Sequence, residues 1–406
     1  MPLDIRIRRH RRSRREHNVS CAILRTVPLL ALLTICSALP AAAQPGSRAG
    51  NVSAQQITEY RQKLAAYEQA RAQFEVKAEA YWSAIAEKRR TRNARRRDGH
   101  AIGPEHYVLT QPPIYSGPAR PIDPTAPTKP PPARTPLPVV ADFLRHAAGE
   151  FQFTPRRPQS ETEFKAAYAK VAAAHGLTRE QAVRIYSFEA GGNGKYDVQA
   201  GLESSRPNAR AISTALGYNQ LLTANTVEVL AEQGDAILSG LTAAMHAAPE
   251  PRRRQLAAKI PTLRKMLAFA RSVPNAWSAH VQLAKTPKGL AIHALNLDVD
   301  IGPWLQTHKL LTSVRFAARK GYTRPLTAAE LEMMNLTGDG NGFDMVTMPQ
   351  ALRAQVPTSN FFQRGGYERN PVAIRNNTVA KLIAATDARM DKESTLPGAR
   401  ALATAF

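Results

Sequence analysis

The sequence predicts a mainly α-helical protein, and three observations carry that prediction. Alanine is abundant while aromatic residues make up only 6% of the chain, a composition that favours helices. No long run of β-branched residues alternates with polar ones, as a half-buried strand would require. Apolar residues recur at helical spacing from residue 57 to the last quarter of the chain. At most one small β-hairpin is expected, within 193–203, where Asn193-Gly194 offers a turn. With 406 residues and 43% apolar content, the chain has enough material for a sizeable core and two or three domains.

Residues 1–43 read as an export signal. The basic stretch RRHRRSRR at 8–15 precedes an apolar run from Val27 to Leu39, and Ala41-Ala42-Ala43 offers a small-residue cleavage site. That run is short for a membrane span, so cleavage is expected over retention as an inner-membrane anchor. The expected location is periplasmic or secreted. Cleavage lowers the formal charge from +23 to +17, which still favours anionic partners. Both cysteines, Cys21 and Cys36, leave with the signal, so no disulfide or thiol chemistry is expected in the mature chain. The ten histidines are scattered without metal-ligand spacing, and no phosphate-cradling glycine loop is present. No metal, cofactor or specific nucleic-acid partner is expected.

Residues 44–98 form the next unit, a long helix. Ile57, Tyr60, Leu64, Tyr67, Arg71, Phe74, Ala78, Tyr81 and Ile85 follow a 3-4 spacing, a coiled-coil-like seam interrupted by Arg71. The seam over 54–90 suits either self-association or packing back on the globular part. The helix ends in KRRTRNARRR at 88–97, seven basic residues in ten. This run is either a solvated face or a surface for anionic polymers and headgroups. Residues 99–138 are a Pro-rich linker with eleven prolines from Pro112 to Pro138, extended because proline fixes φ and lacks a donor. Part of 107–121 is apolar enough to lie along the next domain.

A helical domain is expected over 139–395, followed by a flexible tail at 396–406. Its helices are placed at 139–149, 160–175, 178–190, 223–233, 235–247, 250–258, 262–271, 275–285, 300–319, 327–335 and 375–391. Asp235 and Thr327 are expected caps. Asp339-Gly340-Asn341-Gly342-Phe343-Asp344 reads as a Gly/Asn-rich turn, since it lacks the ligands of a calcium loop.

The chemistry is expected around 178–222. Thr178 and Gln181 make a capping box, and Gly191-Gly192 ends the helix they open. Glu189 then sits at the last helical turn with Tyr186 and Phe188 behind it. Partial desolvation there raises a carboxyl pKa, as a general acid near neutral pH requires. Further on, Gly217 allows close backbone approach, Tyr218 offers an amphipathic ring to a sugar face, and Gln220 and Asn335 offer hydrogen bonds. Asp197 and Glu203 are candidates for a second carboxylate.

Glu189-Ala190-Gly191-Gly192, then Thr214 to Leu221 (TALGYNQL), then Met333 to Gly338 (MMNLTG) resemble, in order, three elements of the soluble lytic transglycosylases of the lysozyme-like superfamily. Asn296 to Trp304 resembles a fourth. Together these elements cover about half the chain. Met334 stands where the family has its active-site tyrosine, and Glu189 and Gln220 lie 31 positions apart, with an insertion between. The resemblance implies a lysozyme-like fold and cleavage of peptidoglycan glycan strands between N-acetylmuramic acid and N-acetylglucosamine. Glu189 would be general acid and then base, with Gly217, Tyr218, Gln220 and Asn335 at the substrate. Two-carboxylate hydrolysis would need a second group about 5–9.5 Å away. A non-catalytic glycan-binding or scaffold protein is the alternative, which Met334 favours.

Overall fold

The structure, a computed structural model, describes residues 52–126, 136–202 and 210–406. The expected signal at 1–43 and Glu203 lie outside the described residues. Among those described, sixteen α-helices dominate and β-pairing is limited to isolated antiparallel bridges. No helix among them is long and apolar enough to cross a membrane.

Helix α1 (Ala54–Arg97) opens with a capping box between Ser53 and Gln56. Its seam is covered by its own chain. Tyr115 of the proline segment meets Tyr67 and Phe74 edge-on, at centroid distances of 6.2 and 5.4 Å. Arg71, the interruption in the seam, lies 5.2 Å from the Tyr115 ring and 5.0 Å from that of Phe74, a cation–π contact. The Tyr81 hydroxyl donates to Thr110 O at 2.9 Å and sits 2.7 Å from Ser359 Oγ. Ala78 and Ile85 are buried. Over this stretch the seam packs back on the globular part.

The basic run at 88–97 is largely spent inside the molecule. Arg89 donates to Phe362 O at 2.6 Å, Arg95 to Ala101 O at 2.6 Å, and Lys88 to Glu105 O. Arg92 is fully buried, and Arg96 Nε binds Asp344 Oδ1 at 2.9 Å. Five of the seven cations thus dock the helix, which leaves Arg90 and Arg97 exposed. The linker residues 99–126 run along α1 and the domain, as expected for part of them. Asn360 grips Val108 through both its amide groups, at 2.9 and 2.8 Å.

The domain begins with α2 (Val140–Phe151), α3 (Glu161–Ala174) and α4 (Arg179–Ala190), then α5 (Thr223–Ala247) and α6 (Arg252–Ala270). Short helices α7 (Trp277–Leu283) and α8 (Pro287–His293) lead to α9 (Gly302–Arg319), α10 (Ala328–Thr337) and α11 (Asp339–Thr347). Three one-turn helices, α12 (Gln350–Arg353), α13 (Arg364–Tyr367) and α14 (Pro371–Arg375), precede α15 (Val379–Ser394) and α16 (Pro397–Ala405). One large apolar core runs from Phe143 to Leu402; a second, centred on Phe361, Met345 and Tyr107, lies where α1 docks.

Five expectations are corrected by packing. The helices expected at 223–233 and 235–247 are one, because Gly234 lets Leu267 of α6 approach the α5 backbone closely instead of ending the helix. Those expected at 250–258 and 262–271 are also one, with Pro261 inside α6, held by the buried side chains Leu256, Ile260, Leu263 and Met266. The stretch 339–344 is helical in α11, and Gly342 sits against the Met334 backbone so that α10 and α11 can touch. The tail at 396–406 is α16, with Ala399 and Leu402 buried in the main core. The expected hairpin within 193–203 is replaced by bridges from Gln199 to Leu216 and from Leu216 to Leu221.

Candidate functional site

Local sequence signals place Glu189. Thr178 Oγ1 accepts from Gln181 N at 3.1 Å and Gln181 Oε1 from Thr178 N at 3.1 Å, the reciprocal box that starts α4. Gly191 ends the helix in the left-handed region at φ 66°. The carboxylate therefore emerges at the final turn of α4, where it opens into a cleft of about 650 Å³.

Glu189, Gln220 and Asn335 line this cleft together. Gln220 is held in an unusual backbone conformation, φ 43°, by the loop 214–221. That loop is pinned to α9 by a buried network. Asn219 N donates to Gln306 Oε1 at 2.8 Å, Asn219 Nδ2 donates to Tyr168 Oη at 3.0 Å, and Gln306 Nε2 donates to Asn296 Oδ1 at 2.9 Å. The Gln220 amide nitrogen is spent on Gly217 O and Val198 O, at 2.8 and 3.2 Å.

Two predicted substrate contacts lie elsewhere. Tyr218 is fully buried behind the cleft, with its hydroxyl donating to Glu161 Oε1 and its ring among Phe164, Tyr168 and Tyr186. Burial first, then the Glu161 charge, pushes its pKa upward. Gly217 is buried too. Its close approach is to Gln306, whose Nε2 would lie 2.5 Å from an added Cβ, and not to a ligand. With φ at +82° as well, Gly217→Ala should cost about 1–3 kcal/mol in chemical denaturation and displace the loop that carries Gln220. Asp197 does not line the cleft; it pairs with Arg157. Met334 backs the cleft wall at 1% exposure, packed in the core.

The sequence reading missed a second carboxyl beside Glu189. Glu332 of α10 is 1% exposed and stands beside Glu189, close enough for one amide nitrogen to reach both carboxyls. Asn335 Nδ2 donates to Glu189 Oε1 at 2.9 Å and to Glu332 Oε2 at 3.4 Å, clasping the pair. Burial raises the Glu189 pKa to about 7; the hydrogen bond from Glu332, the charges of Lys309 and Arg389, and Asn335 hold it from going higher. Burial, and then the neighbouring Glu189 charge, pushes Glu332 well above the ordinary carboxyl range. The two carboxyls titrate as a pair, and burial favours its protonated forms.

Glu228 and Asp339 also line the cleft, and burial raises both, against the opposing field of Lys309. Among the described residues Lys309 is the one cation on the cleft wall, with four carboxyl groups on the same wall. Trp277, 47% exposed, stands on the wall with Leu222 and Asn225. No group of three or more metal-ligating side chains among the described residues is arranged to hold an ion. Chemically, the arrangement can donate a proton near pH 7 at one point of a cleft of mixed polar and apolar lining that has one exposed indole face. Glu332 could have been read from its place three residues before Asn335, on the same face of one helix. Compared with protein-family models, curated proteins and solved structures, the chain matches none of them.

Proposed function

We propose that this protein is an exported enzyme that cuts peptidoglycan glycan strands in the manner of a lytic transglycosylase, with a divergent lysozyme-like domain. The observation that carries the reading is the Glu189 carboxyl, raised to about 7 at the end of α4 and open to a cleft shared with Gln220 and Asn335. A group with that pKa is substantially protonated near neutral pH and can donate to a glycosidic oxygen. As a carboxylate it can then take the proton of the muramyl 6-hydroxyl while a 1,6-anhydro ring closes. The Trp277 face suits a sugar ring, and Asn225, Gln220 and Asn335 suit amide and hydroxyl groups.

The Glu189–Glu332 contact favours this single-acid chemistry over two-carboxylate hydrolysis. Two neighbouring carboxyls that one amide nitrogen reaches, at 2.9 and 3.4 Å, are not set on opposite sides of a glycosidic bond as the hydrolytic pair is. If a second carboxylate takes part, Glu228 or Asp339 is the candidate. The test is chromatography and mass analysis of products from purified sacculi. Transglycosylation gives 1,6-anhydromuramic ends. Reducing ends would replace the reading with a hydrolase that uses Glu228 or Asp339. Intact sacculi that nevertheless retain the protein in a pull-down would favour the second reading, glycan binding without cleavage, which the core-packed Met334 supports. Export rests on residues 1–43, and N-terminal sequencing of the secreted protein checks it.

A further inference from the structure

We infer that a cavity between the C-terminal ends of α1 and α9 binds a phosphate group carried on a small polar body, such as glycerol or a sugar. The cavity measures about 440 Å³, and its walls bring together Arg96 and Arg97 from α1 with Arg319 and Lys320 from the end of α9. His100 adds a fifth nitrogen donor. The run at 88–97 is therefore not the binding surface by itself. Most of it fastens α1, and tertiary structure pairs the remaining Arg97 with two cations more than two hundred residues away.

The charges are not balanced within the molecule. Asp344, the cavity's one carboxylate, already takes Arg96 and, at 3.4 Å, buried Arg92. Arg97, Arg319 and Lys320 have no ion-pair partner within 4 Å among the described residues. The field of Arg319 reaches Asp339, which is itself held by Ser313 at 2.5 Å. A cation in the last turn of a helix is ordinary, because it complements the helix end. That accounts for each helix separately. It does not account for two helix ends converging so that three exposed cations face one hollow, where their mutual repulsion is relieved by a dianion. Arginine forks match phosphate oxygens in pairs. The inner wall is apolar, made by Tyr107, Phe343 and Met348, and gives a carbon body something to rest on. The volume exceeds what a bare phosphate fills, which is why the ligand is placed in the class of phosphate esters.

Titration calorimetry of the full chain with inorganic phosphate and with glycerol 3-phosphate tests the site, and is independent of glycan cleavage. Flotation with phosphatidylglycerol vesicles, against phosphatidylcholine vesicles, tells a lipid headgroup from a soluble ester. Arg97→Glu with Lys320→Glu should weaken binding about tenfold or more. Lys77→Glu with Arg90→Glu makes the same change in charge at exposed positions of α1 outside the cavity and should leave binding within about twofold. Binding of glycerol 3-phosphate identifies a soluble ester, and binding of phosphatidylglycerol vesicles alone identifies a headgroup. Equal losses in the two double variants would reduce the effect to bulk charge and overturn the site, as would no binding of any of these probes.

Discussion

Glu189→Gln should lower glycan-strand cleavage by about 10²–10⁴-fold while leaving binding to sacculi intact. The amide keeps the shape and the Asn335 contact but has no transferable proton. In the wild type, cleavage should decline as pH rises past about 7, because the acid form of Glu189 is lost there. The same residue sets a stability signature that can be read without any activity. Its folded pKa lies above the ordinary 4.5, so the folded protein holds this proton more tightly than the unfolded chain. The stability it contributes is complete below pH 4.5 and is lost as pH rises to about 7. Above pH 7 the Gln variant should therefore be the more stable, by about 3 kcal/mol, and near pH 4 the two should coincide. Denaturant melts at the two pH values check this. An equal melt at both would mean that Glu189 titrates like an exposed carboxyl, and undiminished cleavage by the variant would move the chemistry to another residue.

Arg92→Ala should destabilise the protein by about 3–5 kcal/mol and free α1 from the domain. Arg92 is fully buried, and its guanidinium donates to His106 O and Asn360 O, each at 2.9 Å. It also stands 3.4 Å from Asp344 and lies over the Tyr107 and Phe361 rings at 4.6 and 5.5 Å. Truncation leaves those carbonyls short of donors and removes the packing between two rings. Lysine should not rescue it, because one ammonium can neither reach all three oxygens nor stack flat. Arg90→Ala, at an exposed position of the same run, should change stability by less than about 0.5 kcal/mol. Thermal melts measure the first effect. Limited proteolysis of the turn at Gly99 measures the release, and an unchanged cleavage rate there would show that α1 is held by its apolar seam alone.

Much of the site was legible because its signals are local. The Thr178–Gln181 box and Gly191 bracket α4 within about four turns, so the position of Glu189 at a helix end followed from one short stretch of chain. The bounds of α9 and α10 followed in the same way from periodicity and from the Thr327 cap. Side chains whose chemistry is the same in two settings were not legible. Tyr218 has an amphipathic ring that suits a sugar or a core equally, and only the packing of Phe164, Tyr168 and Tyr186 around it decides for the core. Gly217 signals a close approach without naming the partner, which proved to be Gln306, from a helix almost ninety residues away.

The sequence by itself determined a helical chain, a long helix with a spaced apolar seam followed by a proline segment, and an acid placed at the end of a short capped helix. Propensity, capping and apolar spacing act over one to four residues, and these features need nothing more. The tertiary structure decided what each of those elements faces. It buried the Glu332 carboxyl beside that of Glu189, under one Asn335 amide, and so raised both. It turned a seam suited to self-association inward onto Tyr115 and Ser359. It spent five of seven adjacent cations on the chain's own oxygens, and gathered Arg97, Arg319 and Lys320 around one hollow. The physical reason is common to all three. The pKa of a carboxyl and the availability of a cation depend on burial and on charges a few ångströms away, and those neighbours come from helices that only folding brings together.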